Sequence, residues 1–126
     1  MKVRAVSTEN AHRAEKWADA DDMKSAVRHW SARIGVQPGH IHVRQMRAKW
    51  ASISTAGRLT LNADLLSVPK RLGEYVIVHE LVHLLAPNHG KVFKSFLLAY
   101  MSDWKERERE LQEYAGVESG AGDGRI

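Results

Sequence analysis

The chain of 126 residues is long enough for one domain and short for two, and its 44% hydrophobic and 27% charged residues are typical of an ordinary globular protein. It contains no cysteine, which excludes a disulfide framework, a thiolate zinc site, a cysteine nucleophile and an iron–sulfur cluster. The net charge of +4 is uneven, because residues 1–60 carry 11 Lys and Arg against 5 Asp and Glu.

The distribution of charge and apolar residues bears on location and partners. The first residues contain no continuous apolar segment, so we expect no signal peptide and a cytoplasmic protein. No apolar run reaches the roughly 18 residues that span a bilayer, so no membrane partner is expected. The basic first half can attract nucleic acid, but net charge argues only weakly for a partner, and a solvated helix surface with charged strand edges is the favoured interpretation.

Two helical segments are predicted before residue 35. The first is indicated by apolar residues at helical spacing, namely Ala11, Ala14, Trp17 and Ala18. Residues 19–22, three of which are acidic, then interrupt the pattern and can cap the next helix. That second helix is indicated from Met23 to Ile34, and Gly35 follows where a C-terminal cap glycine belongs.

Three short strands are predicted next, over residues 40–47, 50–54 and 58–62. In the first strand Ile41 and Val43 alternate with polar residues. Thr55-Ala56-Gly57 between the last two strands is a turn signal, so these two strands are predicted to form a hairpin.

Two long helices are predicted in the second half. One begins near Pro69 and ends near Ala86, because Pro87 cannot continue it; it is apolar on nearly every side and should be the buried central helix. The next has an apolar stripe, with residues 105–114 as its solvated continuation; the stripe consists of Val92, Phe93, Phe96, Leu97, Tyr100 and Trp104. The Gly-rich residues 117–126 are predicted to be a disordered tail.

The central helix carries the motif H-E-x-x-H, at His79, Glu80 and His83. Histidines at i and i+4 project from one helix face, so both imidazoles can reach one Zn²⁺. Glu80 lies beside that face, where it can take a proton from a metal-activated water. Two core histidines flanking a glutamate are a weaker interpretation, because Glu is almost never fully buried without a partner.

A third metal ligand is predicted at His89, six residues beyond His83. A catalytic zinc needs three protein ligands and one open position, and the proline break lets the chain turn back toward the helix. A carboxylate is the competing third ligand, because four acidic residues follow downstream: Asp103, Glu106, Glu108 and Glu110. The last three lie in an alternating-charge run that is typical of a solvated helix face.

At these residues the sequence resembles the YgjP-like metallopeptidases, relatives of the SprT-like and WLM domains and of the minimal zincins. The resemblance covers residues 41–114 or so. It is carried by four stretches, MRAKWASIS at residues 46–54, GRLTLNAD at 57–64, YVIVHELVHL at 75–84 and NHGKVFKSF at 88–96. The family often has R-W-G-S-C where this chain has Lys49-Trp50-Ala51-Ser52-Ile53, so the small Gly and Cys are absent here.

The resemblance implies an α+β, zincin-like fold with a small antiparallel sheet packed on the central helix and with flanking N- and C-terminal helices. It implies zinc held by His79, His83 and His89, and Glu80 as general base. Together with the chain length, it leads us to expect a single domain over residues 1–116 with its metal-site core at about 41–114. In such folds an edge strand pairs with extended substrate, and here that strand is one of residues 50–54 or 58–62.

These features together predict zinc-dependent hydrolysis of peptide bonds in a peptide or protein substrate. A second donor to the oxyanion is needed; Tyr100 and Arg107 are candidates, and the sequence places neither. Two alternatives stay open. One is a DNA-associated protease, supported by His42, Arg44, Arg47, Lys49 and Trp50; the other is a non-catalytic module whose zinc is structural.

Overall fold

The computed structural model describes residues 13–115 and contains four helices, a short 3₁₀ helix and a three-stranded sheet. In chain order the elements are α1 (Ala20–Ile34), β1 (Ile41–Arg44), β2 (Ala51–Ile53), β3 (Leu59–Asn62), the 3₁₀ helix (Ala63–Ser67), α2 (Lys70–Val82), α3 (Lys91–Tyr100) and α4 (Trp104–Ala115). The predicted tail at residues 117–126 and the ends of the predicted domain lie outside the described residues. No helix in the described part is long and apolar enough to cross a membrane.

Helix α1 matches the predicted second helix and is capped at both ends. The Asp19 carboxylate accepts a hydrogen bond from the Asp22 backbone N–H at 2.8 Å, and Gly35 ends the helix in the left-handed conformation with φ of 86°. The helix buries one face against α2, formed by Met23, Val27, Trp30, Ser31 and Ile34.

The helix predicted around residues 11–18 is not formed over residues 15–17, and Ala11 lies outside the described residues. The segment instead lies against the start of α2: the Lys70 N–H donates to the Glu15 carbonyl at 2.6 Å. Trp17 is 5% exposed and packs so closely on Gly73 that a Cβ there would lie 2.6 Å from the Trp17 Nε1 atom. Burial of this indole, which helical spacing alone cannot foresee, outweighs the local helical pattern.

The sheet has the order β1-β3-β2 and is mixed. The predicted hairpin is present, since β2 pairs antiparallel with β3 and Gly57 has a φ of 88° in the turn. The expectation of an antiparallel sheet is wrong for β1, which pairs parallel with β3 on its other edge. The chain crosses from one edge to the other past the end of β3, where the Asn62 side-chain amide donates to the carbonyls of Met46 and Lys49 at 3.2 and 2.8 Å.

Helix α2 is the buried central helix, as predicted. From Leu72 to Val82 every residue except Glu74 is buried, so the helix is buried on every side. The helix ends at Val82, earlier than the predicted Ala86, because the following N–H groups bond three residues back: His83 to Glu80 and Leu84 to Leu81. This tightened turn starts the chain reversal before Pro87 is reached.

The last predicted helix is two helices, and its second part is not merely solvated. The chain breaks at Met101, whose φ and ψ of −150° and 87° are not helical. Helix α4 then packs on α2. Arg71 on α2 forms an ion pair with Glu110 at 2.6 Å, and Arg107 donates to the Arg71 carbonyl at 3.0 Å. The charged run therefore faces α2 on one side, where its charges are paired.

Candidate metal centre

Three histidines converge at the end of α2. His79 is buried within the helix, His83 is the first residue after it, and His89 returns from the loop before α3. The Nε2 atom of His89 lies 3.3 Å from that of His79 and 2.9 Å from that of His83. The chain reversal predicted around Pro87 is present, and it brings together the three residues predicted as metal ligands.

The spacing of these nitrogens fits a tetrahedral metal ion. Three nitrogens that each lie about 2.0–2.1 Å from one zinc ion, at tetrahedral angles, are about 3.3 Å apart. One ligand nitrogen from each of the three histidines lies within 4.8 Å of the other two, and no Cys, Asp or Glu in residues 13–115 joins the group. The donor set and its geometry therefore suit a zinc site with one open position.

The second ring nitrogen of two of the histidines has a polar neighbour. His83 Nδ1 lies 3.1 Å from the Pro87 carbonyl oxygen, and His79 Nδ1 lies 3.4 Å from the Tyr75 hydroxyl. A carbonyl can only accept, so His83 carries its proton on Nδ1 and its Nε2 lone pair is free. Such contacts fix the tautomer that a metal-bound imidazole needs.

The environment favours the neutral form of two of the imidazoles, those of His79 and His83. Burial, and then the proximity of His83 and His89, lowers the pKa of His79 from 6.5 to about 3. Burial also lowers the pKa of His83, with a further contribution from His89. Metal binding requires unprotonated imidazole, so His79 is ready to coordinate across the physiological pH range.

Phe93 on α3 packs against all three histidines. Its ring centroid lies 4.9 Å from that of His79, 4.7 Å from that of His83 and 4.9 Å from that of His89, and the side chain is 2% exposed. The sequence indicated Phe93 only as part of an apolar stripe. Val92, from the same stripe, is 62% exposed and does not contribute to the core.

Glu80 is buried next to the histidines. It is 3% exposed, and its Oε2 atom is one of three buried side-chain atoms in the described residues that have no hydrogen-bond partner. Burial raises the pKa of Glu80 from 4.5 to about 7, and the positive charge of Lys49 lowers it in part. A carboxyl group with such a pKa can both accept and return a proton near neutral pH.

A cleft of about 510 Å³ opens beside Glu80 and His83. One wall is the segment of residues 51–55, which comprises β2 and the start of the hairpin turn. The cleft is also lined by Glu80, His83, Leu84 and Pro87, and by Lys49, which precedes β2. Of the two strands considered for substrate pairing, β3 is the central strand and β2 is the edge strand that lines this cleft.

The other residues considered for the site lie elsewhere. Arg107 is bound to Asp103 and the Arg71 carbonyl, and neither it nor Tyr100 lines the cleft. None of the four downstream carboxylates joins the three histidines. Asp103 pairs with Arg107, Glu106 with Arg13 and Glu110 with Arg71, while Glu108 accepts a hydrogen bond from Tyr75, which lies between it and His79.

The residues considered for DNA contact include one that is not accessible. Trp50 is 7% exposed and belongs to the core, so its ring is not available to stack on a base. Lys49 lines the cleft beside Glu80. Arg44 and Arg47 are exposed, as expected for charged residues at a strand end and in a loop.

Two residues near the site were not foreseen. Tyr75 is fully buried, and its hydroxyl lies between His79 and Glu108. Burial, and then the charge and hydrogen bond of Glu108, raises the pKa of Tyr75, so the phenol stays protonated. Its position four residues before His79, on the same helix face, was the available signal. The sequence indicated Lys49 only as a candidate contact to nucleic acid, whereas it lines the cleft.

Comparison with known proteins agrees with this geometry. The family model of the YgjP-like metallopeptidase domain matches residues 5–114. Among solved structures the fold is similar to the metallopeptidase zymogen jannalysin of Methanocaldococcus jannaschii, with 26% identity and a TM-score of 0.67 over 74% of this chain and 96% of that one. It is also similar to the metallopeptidase zymogen abylysin of Pyrococcus abyssi, with 22% identity and a TM-score of 0.65 over 73% and 93%.

No curated protein matches the sequence. The family model covers most of the chain, and the resemblance first seen in four short stretches is thereby confirmed, as is the α+β, zincin-like fold. The chain therefore belongs to the YgjP-like metallopeptidase family and is a peptidase.

Proposed function

We propose that this protein hydrolyses peptide bonds with a zinc ion held by His79, His83 and His89 and with Glu80 as general base. The observation that carries the proposal is the convergence of three imidazoles beside a buried carboxyl group, at the side of a cleft bordered by an edge strand. Zinc is the metal that three imidazoles with an open position favour in hydrolytic sites.

When bound, zinc supplies Lewis-acid chemistry, which polarises a carbonyl and makes water more acidic. Glu80 takes a proton from the attacking water and later passes it to the leaving amine. Its buried position supports this role in two ways. The Oε2 atom accepts no hydrogen bond from the part of the chain that the structure describes, and the raised pKa keeps proton uptake and release close in energy at neutral pH.

The cleft supports a substrate in extended conformation. Among residues 13–115, β2 pairs with β3 on one side only, and its other edge can pair with a peptide running along the cleft. Such pairing uses backbone groups and places the scissile bond beside Glu80 without fixing a side-chain preference. Lys49 adds a positive charge at one end of the cleft, so we expect a preference for acidic or carboxylate groups on the substrate at that end.

The arrangement favours catalysis over a structural metal. A structural zinc site is closed by four protein ligands, whereas the described residues supply three. A structural zinc site also does not require a buried carboxyl group whose oxygen has no hydrogen-bond partner among the described residues. Glu80 would be costly to bury in a module that performs no proton transfer.

Substitution of Glu80 tests the proposal directly. A peptide library is incubated with the zinc-loaded protein, with Glu80→Gln and with Glu106→Gln as a matched control on the exposed face of α4. Glu80→Gln should bind zinc normally and lose at least ~10²-fold in turnover, the scale of general acid–base catalysis. Glu106→Gln should cleave like the parent. Cleavage by the parent that survives a chelator, or normal turnover by Glu80→Gln, would contradict the proposal.

A further inference from the structure

Tyr75 is a fully buried phenol that the proposed reaction does not use. It lies on α2 one turn before His79, with its hydroxyl 3.4 Å from His79 Nδ1 and 3.0 Å from Glu108 Oε2. The rings of Tyr75 and His79 are 5.7 Å apart and inclined at 64°. The hydroxyl thus lies between an imidazole of the metal site and a carboxylate from another helix, 33 residues farther along the chain.

The chemistry of the three groups gives the contact a direction. An ionised carboxylate can only accept, so Tyr75 donates its proton to Glu108 and keeps its lone pairs for His79 Nδ1–H. A neutral imidazole carries one N–H, and a proton on Nδ1 leaves the lone pair on Nε2. Nε2 is the His79 atom that lies 3.3 Å from His89 Nε2.

We propose that Glu108 and Tyr75 form a hydrogen-bond relay that holds His79 with Nε2 free for the metal. The inference rests on the proposed ligation of zinc by His79. Tyr75 and Glu108 are positioning residues in this arrangement, because both act on the metal through His79. The Pro87 carbonyl holds the proton of His83 on Nδ1, and the relay holds that of His79 in the same way. The difference is that the final acceptor of the relay, Glu108, comes from a distant helix.

Helix α4 holds Glu108 in place. Arg71 on α2 pairs with Glu110 at 2.6 Å, two residues beyond Glu108. Arg107, the residue before Glu108, donates to the Arg71 carbonyl at 3.0 Å. Contacts on both sides of Glu108 therefore fix the position of α4 along α2. Glu108 is the residue of α4 that contacts Tyr75.

Zinc affinity, measured by competition with a chelator of known affinity, tests the relay without reference to activity. Tyr75→Phe keeps the ring and removes the hydroxyl, and it should weaken zinc binding by about 10–100-fold, the cost of losing a partner of a metal-bound histidine. Glu108→Gln still accepts a hydrogen bond but without charge, so its loss should be smaller. Tyr114→Phe and Glu106→Gln, on exposed positions of α4, are matched controls and should bind zinc like the parent.

The double variant separates a relay from a simple charge effect. In the Tyr75→Phe background Glu108 has no route to His79, so adding Glu108→Gln should change zinc affinity by less than about twofold. An equal effect of Glu108→Gln in both backgrounds would show that the carboxylate acts by its charge alone and would overturn the relay. Zinc binding by Tyr75→Phe as tight as that of the parent would overturn it too.

A spectroscopic measurement covers the case in which Tyr75→Phe fails to fold. In the zinc-loaded parent, imidazole ¹⁵N resonances should show His79 protonated at Nδ1, with that proton protected from exchange with water. In Glu108→Gln the same proton should exchange faster. A His79 ring protonated at Nε2 in the parent would overturn the relay. A parent that binds no zinc at all would instead contradict the proposed function, so the two failures are distinguishable.

Discussion

The protonation states of His79 and Glu80 decide whether the site can take up a metal ion and a proton at neutral pH. Both are buried in α2, and burial acts on them in opposite directions. It lowers the pKa of His79 to about 3 and raises that of Glu80 to about 7. Burial therefore favours the neutral form of both groups. The neutral imidazole is the form that coordinates a metal, and a carboxyl group with a pKa of about 7 can take up and release a proton near neutral pH.

Glu80 should leave a signature in the pH dependence of stability. In metal-free protein the folded state keeps the Glu80 proton up to about pH 7, whereas the unfolded chain releases it near 4.5. The stability gained from this raised pKa is fully present below pH 4.5 and is lost as the pH rises to about 7. Glu80→Gln lacks this titration. Its free energy of unfolding, relative to that of the parent, should therefore rise between pH 4.5 and 7, by up to about 1.4 kcal/mol per pH unit.

Urea unfolding in the presence of a chelator, at pH 5, 6 and 7, measures this difference. His79 destabilises the folded state as the pH falls below 6.5, because the unfolded chain then binds a proton that the folded state refuses. That contribution is present in both proteins, and comparison of the two removes it. A stability difference that does not change with pH would show that Glu80 is ionised in the folded protein.

His89 should be the third metal ligand. It is the exposed member of the group, and its Nε2 lies within 3.3 Å of both other histidines. His89→Ala should cost more than the 10–100-fold in zinc affinity that loss of a ligand's hydrogen-bond partner costs. Glu106→Ala, which removes a carboxylate paired with Arg13 at 3.6 Å, should retain zinc and serves as the control. Equal zinc affinity in His89→Ala and the parent would show that His89 is not a ligand and would favour one of the downstream carboxylates.

At the scale of elements, local signals predicted well and long-range ones did not. The caps of α1 at Asp19 and Gly35 depend on residues that are neighbours in the sequence, and so does the hairpin turn at Gly57. The direction of β1 is not, because parallel and antiparallel strands share the same alternation of side chains. The break at Met101 has no glycine or proline and lies within a continuous apolar stripe.

The site divides in the same way. His79 and His83 share one helix face with Glu80 beside it, and His89 follows within six residues, so their spacing alone predicts that they lie close together. Tyr75 could have been noticed from its position on that face. Its partner Glu108 comes from α4, and no short-range pattern predicts which carboxylate of an alternating-charge run points inward.

The packing of Trp17 on Gly73 gives a test at the level of elements. In an open helix interior, Gly→Ala stabilises by about 1 kcal/mol. Here the three heavy atoms nearest to an added Cβ all belong to the Trp17 indole, and the closest is Nε1 at 2.6 Å. Gly73→Ala should therefore destabilise the parent, because the buried indole must move.

The same substitution should change sign once the indole is removed. In a Trp17→Ala background the three nearest neighbours of the added methyl group are removed, and Gly73→Ala should stabilise the protein by up to about 1 kcal/mol. Urea unfolding of the four proteins gives the cycle. Destabilisation of the same size in both backgrounds would mean that Trp17 is not the neighbour that forces glycine at this position.

For the molecule as a whole, the candidate metal site joins separate parts of the chain. His79 and His83 belong to the end of α2, His89 belongs to the loop before α3, and the hydroxyl of Tyr75 reaches α4. Anything that binds the folded chain and not the unfolded one stabilises it by mass action, by about 4 kcal/mol at a thousand times the dissociation constant. Zinc should therefore stabilise the whole domain and not only the loop.

Thermal unfolding measures this coupling. For a domain of this size about 1 kcal/mol corresponds to several degrees in Tm, so saturating zinc should raise Tm by more than about 10 °C, reversibly with a chelator. Magnesium, which prefers oxygen ligands, should have no effect. Glu80→Gln should keep the full increase, because the residue is not a ligand, and His89→Ala should lose most of it. A Tm that is indifferent to zinc, in a protein that is folded without it, would contradict ligation by residues from both sides of the chain reversal.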